Sequence, residues 1–210
     1  MPNPILHIFL KNPIAGRVKT RLAGDIGEKA ALEVYLALVE KTRECVRPLD
    51  IPKILWFDSF LPDSSESENW GNSSLITKVQ EGGDLGEKMR SAFLYSSHNG
   101  YSSAILIGSD CAELQEFHLK EAFRILDEKD VVYGPAKDGG YYLVGLKKDF
   151  PELFQGIEWS TSTVLGVSLE KVRQAGKKVG LLPVLSDIDT LKDLQECESK
   201  GILTWKRTSS

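Results

Sequence analysis

Cysteine is scarce in this chain: Cys45, Cys111 and Cys197 are three, odd in number and far apart. They form no Cys-x-x-Cys pair, which argues against both a disulfide framework and a zinc site. Long apolar runs are missing too, and no stretch approaches the roughly 18 consecutive apolar residues of a membrane span. The first ten residues lack the basic opening and the apolar length of a signal peptide, so a cytoplasmic location is the expectation. Positive charge is not in excess. With 26 Lys and Arg against 30 Asp and Glu, the formal net charge is -4, which excludes broad, non-specific nucleic-acid binding but not one basic pocket.

What is present suits one globular domain over residues 1–210, since 41% of the chain is hydrophobic and can form a continuous core. Short apolar runs alternate with segments of helical period. Residues 5–10, 54–57, 75–79, 104–107, 131–133, 141–146 and 179–185 read as strands. From about Gly27 the positions Ala31, Val34, Tyr35, Leu38, Val39 and Val46 keep helical spacing until Pro48 stops it. Further helices are expected around Met89 and Phe93, around Leu119 to Leu126, and over 163–172 and 190–197. The polar, acidic stretch 62–72 reads as a surface loop. Too few residues separate 131–133 from 141–146 for a crossover helix, so those two strands should pair antiparallel. The alternation implies an α/β fold: a mostly parallel, mixed sheet in a three-layer α/β/α sandwich. A ligand would then lie beyond the carboxyl ends of the parallel strands.

Four loops hold more polar and glycine residues than turn-making requires. In Lys11-Asn12-Pro13-Ile14-Ala15-Gly16-Arg17-Val18-Lys19-Thr20-Arg21-Leu22, four cations follow the first strand. Backbone N–H groups beside Gly16, Arg17, Lys19 and Arg21 suit a polyphosphate, although the spacing matches neither a P-loop nor the Rossmann glycine fingerprint. Asp110, in Gly108-Ser109-Asp110-Cys111, follows a buried strand, where a carboxylate is costly unless it is paired or binds a metal. Its other reading is a helix cap, but the next helical pattern starts only near Leu114. Gly134-Pro135-Ala136-Lys137-Asp138-Gly139-Gly140-Tyr141 is either a hairpin connection or a place where a ligand approaches the backbone. In Ser186-Asp187-Ile188-Asp189-Thr190-Leu191-Lys192-Asp193, Thr190 and Asp193 make a capping box. Asp189 is either part of that cap or a ligand, while Asp187 has no capping duty. Asp110 and Asp187 could together hold Mg²⁺ or Mn²⁺ through hard oxygen donors.

These segments, with Gly83-Asp84-Leu85-Gly86 and Trp159-Ser160-Thr161, resemble a bacterial family of small GT-A-fold proteins described as nucleotide-diphospho-sugar transferases or glycosyltransferases. The likeness runs through nearly the whole chain in order. It departs at Ala112, where that family usually has proline. The Lys-Thr-Arg-Leu core and the Asp-x-Asp-Thr end also look like guanylyltransferases acting on phospholactate or the molybdenum cofactor. The resemblance implies Mg²⁺ or Mn²⁺ on Asp110, Asp187 and Asp189, phosphates on Lys19 and Arg21, and a base or ribose near Gly83, Asp84 and Leu85. It places a small acceptor near Asp138, Gly139, Gly140, Tyr141, Trp159, Ser160 and Thr161. An inverting glycosyl transfer needs a base for the acceptor hydroxyl, and Asp138 is the candidate. Transfer of a nucleotidyl group with release of pyrophosphate, and nucleotide binding without turnover, are the alternatives.

Overall fold

The computed structural model describes residues 3–62, 69–71 and 74–205; most of the loop read over 62–72 lies outside them. Seven strands form one sheet: β1 (Pro4–Leu10), β2 (Lys53–Phe57), β3 (Leu75–Val79), β4 (Ser103–Ile107), β5 (Val131–Pro135), β6 (Tyr141–Leu146) and β7 (Val179–Leu181). Their spatial order is β3-β2-β1-β4-β6-β5-β7. Only β6 runs against the others, pairing antiparallel with β4 and β5. The short connection between β5 and β6 requires this, as expected from the spacing.

Strand periodicity assigns the two faces of the sheet. Leu6, Ile8 and Leu10 point into one cluster, with Leu119, Ala122 and Leu126 of α4 (Glu116–Glu128) and Cys45 and Val46 of α2 (Glu28–Val46). Ile5 points the other way, into a cluster with Met89, Ala92 and Phe93 of α3 (Leu85–His98) and Val172 of α5 (Val164–Gln174). The sheet is therefore covered on both sides, which is why its strands read as continuous apolar runs. A third cluster joins Leu22 of α1 (Thr20–Ile26) to Val34 and Leu38 of α2, and to Leu194 and Cys197 of α6 (Leu191–Ser199).

Two boundaries differ from the sequence expectation. The last strand covers only Val179–Leu181, because Pro183 cannot donate to a ladder; pairing resumes as a single bridge between Ala136 and Leu185. Residues 20–22, which close the basic loop in the sequence, instead open helix α1. It is short and starts from Lys19 in the left-handed region (φ 47, ψ 45), a conformation no periodicity announces.

The chain reverses direction across the sheet between β1 and β4, with β2 on one side of β1 and β4 on the other. At such a switch point the loops leaving neighbouring parallel strands diverge and open a crevice. The first basic loop follows β1 and Asp110 follows β4, so both face it.

Candidate functional site

The crevice is built by loops that hold one another. Asn12, the second residue after β1, is 3% exposed. Its amide donates to Asp58 Oδ1 at 2.7 Å, and its side-chain oxygen accepts from Ser59 and Phe60 amides at 3.1 Å each. Tyr35 on α2 closes the same corner: its hydroxyl donates to the Lys11 carbonyl and accepts from the Lys11 amide, both at 2.8 Å. Burial raises that hydroxyl above the ordinary tyrosine value, so it stays protonated. On the far side, the Ile188 amide donates to the Asp110 carbonyl at 3.1 Å, and the Ser186 amide donates to Glu113 Oε2 at 2.8 Å.

At the centre sits Lys19, its side chain only 4% exposed, with Nζ 2.6 Å from Asp110 Oδ1 and 3.2 Å from Asp189 Oδ1. Burial alone would depress its ammonium; the charges and hydrogen bonds of Asp110 and Asp189 outweigh this and raise it above the usual lysine value. Arg21 stands outside, 72% exposed and 3.9 Å from Asp189 Oδ2. Asp187 is half-buried, and no hydrogen bond or ion pair holds its carboxylate among the described residues. Burial first, then the like charges of Asp110 and Asp138, push its carboxyl up to about 7, while Lys19 pulls the other way.

Asp189 does not cap the last helix with its side chain. Thr190 does that, accepting from the Asp193 amide at 3.3 Å, while Asp193 Oδ2 accepts from the Thr190 amide at 2.8 Å. Gln115, not Asp110, stands at the N-cap of α4. Both carboxylates are thus released from the structural duties weighed for them.

Three clefts meet on this charged centre. One of about 210 Å³ is lined by Lys11, Lys19, Thr20, Arg21, Asp110 and Asp189. A larger one of about 470 Å³ runs past Asp110 and Asp187 to Gln80, Leu85, Lys88 and Tyr141. A third, of about 290 Å³, lies beyond Asp187 and Asp189, with Asp138, Lys137 and Arg21 in its walls. Asp187 is the partition between the second and third.

Not every expected residue reaches these clefts. Gly16 turns the first loop (φ 78), and Arg17 is exposed; neither lines the small cleft. Asp84 caps α3, accepting from the Glu87 amide at 2.8 Å, and the Gly83 amide donates to Glu87 Oε2 at 2.6 Å; Leu85 alone of that trio lines the large cleft. The Asp138 segment is a hairpin turn, with Gly140 donating to Asp138 Oδ1 at 2.9 Å. Gly139 has φ 91, and a Cβ there would lie 2.1 Å from the Ser162 carbonyl oxygen, so packing accounts for this glycine. The expected acceptor set is divided: Asp138 faces the third cleft, Tyr141 and Ser160 the large one. Trp159 instead packs on Gly86, where a Cβ would meet its ring at 2.8 Å. Thr161 Oγ1 donates to the Glu158 carbonyl at 2.9 Å.

Lys11, one of the four cations counted in the basic loop, lines two of the clefts, whereas Tyr35, Gln80 and Lys88 line them without having been singled out in the sequence. Tyr35 had one signal: a tyrosine at a core-facing helical position needs a partner for its hydroxyl. Gln80 had none; its side-chain amide donates to the Trp56 and Leu10 carbonyls at 3.1 and 3.3 Å, contacts made only by the assembled sheet.

As a place for a divalent cation, the donor set is chemically suitable. Asp110, Asp187 and Asp189 offer hard oxygens, and the uncompensated charge at Asp187 favours added positive charge. Yet Lys19 engages two of the three, and among the described residues no group of three or more His, Cys, Asp or Glu is gathered closely enough to hold an ion. No helix among them is long and apolar enough to cross a membrane.

A profile of the family described as "uncharacterized protein conserved in bacteria" (DUF2064) matches residues 41–161. Comparison with curated proteins returns no match. A solved structure from Desulfovibrio desulfuricans G20, provisionally described as a nucleotide-diphospho-sugar transferase, is 33% identical; the alignment covers 92% of this chain and 85% of that one, with a TM-score of 0.84. The inositol-1-phosphate CTP transferase of T. maritima shares the fold at 16% identity, 96% and 95% coverage and a TM-score of 0.61. So does the 4-diphosphocytidyl-2C-methyl-D-erythritol synthase of Anaerococcus prevotii DSM 20548, at 9% identity, 95% and 98% coverage and a TM-score of 0.61.

Proposed function

Because the chain belongs to the DUF2064 family, we propose that it is a transferase that binds a nucleotide-diphospho-sugar and passes the sugar to a small acceptor. One observation carries this: three clefts of different chemistry converge on Lys19, Asp110, Asp187 and Asp189. The small cleft, with Lys11, Lys19 and Arg21, suits a diphosphate. The large cleft, with Leu85, Met89 and Tyr141 beside polar groups, suits a nucleoside. The third, with Asp138, receives the acceptor.

Each residue then has a task. Lys19 and Arg21 stabilise the charge that grows on the departing diphosphate. Asp138 takes the proton of the acceptor hydroxyl. Asp110, Asp187 and Asp189 would hold a Mg²⁺ or Mn²⁺ ion, which supplies Lewis-acid neutralisation of phosphate charge when bound. The relative from D. desulfuricans supports the donor class, and the T. maritima and A. prevotii enzymes share the architecture.

A second reading, nucleotidyl transfer to a phosphorylated acceptor, is favoured by one observation. Asp138 Oδ1 already accepts from Gly140, a turn-making role that needs no catalysis, and an acceptor that is already anionic needs no base. The test is product analysis. Ligands are first found by thermal stabilisation with nucleoside di- and triphosphates and nucleotide sugars. Release of a nucleoside diphosphate from a nucleotide sugar supports glycosyl transfer; release of pyrophosphate from a triphosphate replaces it with the second reading.

A further inference from the structure

We infer that Lys19 is an exchangeable occupant of the cation position between Asp110 and Asp189, surrendering it to a divalent ion when a polyphosphate enters the small cleft. The inference rests on the nucleotide-binding reading above and adds the order in which the site fills.

Lys19 Nζ lies within bonding distance of one oxygen from each carboxylate, 2.6 and 3.2 Å away. An ion held by Asp110 and Asp189 would have to compete with the ammonium for the same two carboxylates. The carboxylates remain accessible, at 46% and 45% exposed, whereas the lysine side chain is 4% exposed. An incoming ion can therefore reach the acids, but only against a buried competitor. The fold enforces the competition through the backbone: Lys19 holds φ 47, a conformation uncommon for any side chain but glycine, and Ala23 accounts for its carbonyl by donating at 2.8 Å.

The small cleft supplies the means of release. Lys11, Thr20 and Arg21 line it with Lys19, so a polyphosphate bound there lies beside the buried ammonium and competes with the two aspartates for it. Once Lys19 turns to phosphate, the aspartates lose their counter-charge. Ion and polyphosphate are then linked, each raising the affinity for the other by the same factor.

Mn²⁺ binding to the full chain, followed by calorimetry and by the electron paramagnetic resonance of free Mn²⁺, tests this without turnover. Lys19→Met should bind Mn²⁺ alone about ten-fold more tightly than wild type, a typical coupling between sites. Unchanged or weaker binding by a folded Lys19→Met protein overturns the exchange. Should that variant not fold, NMR of the wild-type lysine ammonium groups decides: one protected signal must be present without ligand and move when Mg²⁺ and a nucleoside diphosphate (ADP, CDP, GDP and UDP in turn) are added together. A signal that stays in place while nucleotide binds overturns it equally. If Lys19→Met gains Mn²⁺ affinity but no nucleotide binds either protein, the exchange at the carboxylates stands, while its link to phosphate and the proposed function fall. If nucleotide binds and the gain is absent, the function stands and the exchange falls.

Discussion

The Ile188 amide donates to the carbonyl of Asp110 at 3.1 Å, stitching the loop after β4 to the loop before α6. That bond sets Asp110 close enough for Asp187 to feel its charge, although they lie far apart in sequence. Replacing either carboxylate removes charge without touching this backbone tie. Asp187→Asn should therefore fold normally, and Asp110→Asn should fold with some loss of stability because it takes the 2.6 Å partner from buried Lys19; both should lose the Mn²⁺-dependent part of nucleotide binding. Wild-type Mn²⁺ affinity in both variants, measured by calorimetry, would show that the ion sits elsewhere.

Lys19 and Arg21 should behave differently despite equal formal charge. Losing either should weaken a nucleoside diphosphate by about 1.5–3 kcal/mol per charged hydrogen bond, with a phosphate-free nucleoside nearly unaffected. Only Lys19→Ala should also destabilise the fold, by about 1–3 kcal/mol, since it leaves two half-exposed carboxylates without their buried partner. Arg21, mostly exposed, should change stability by less than about 0.5 kcal/mol. Urea unfolding of both variants checks this, and equal stability losses would contradict the burial difference.

Asp138→Asn keeps size and the acceptor oxygen for Gly140 while removing basicity. Under glycosyl transfer with inversion, turnover should fall about 10²–10⁴-fold with donor affinity little changed. A rate within about three-fold of wild type removes the general-base role. Product stereochemistry must be read alongside, because a retaining transferase would show the same weak effect.

His7 makes an acid-sensitivity prediction away from the clefts. It is fully buried; its Nδ1 accepts from Trp56 Nε1 at 2.9 Å, and its Nε2 faces Ser96 Oγ at 2.5 Å. Trp56 can only donate, so Nε2 carries the proton and the ring is neutral. Burial lowers its pKa to about 3, against about 6.5 in an unfolded chain. Between those values the unfolded state binds a proton that the folded state refuses. This contribution to stability is complete above about pH 6.5 and lost progressively as pH falls toward 3, by about 1 kcal/mol per unit in mid-window. His7→Gln, which still offers an acceptor and a donor, should show a shallower loss in urea titrations at about pH 7 and 5. Parallel curves would mean that His7 takes up its proton equally in both states.

Much of the fold was legible because strands and helices write their period locally. Residues 75–79 and 141–146 alternate with helical segments, and the brief gap before residue 141 left only an antiparallel partner for that strand. The capping box of Thr190 and Asp193 was equally local, since both partners lie within one helical turn. Each candidate loop could be found because it follows an apolar run and carries charge that turn-making does not need.

What the residues near Asp110 face was decided only by the tertiary structure. The pairing of Lys19 with Asp110 and Asp189 depends on one left-handed residue at the start of α1 and on loops brought together by the sheet order. The assignment of Gly139 to packing against Ser162, and of Trp159 to packing against Gly86, depends likewise on contacts between distant segments. Sequence periodicity reports which side of an element faces the core, a property of each segment alone. Which charge meets which is set by the distances between segments, and those exist only once the chain has folded.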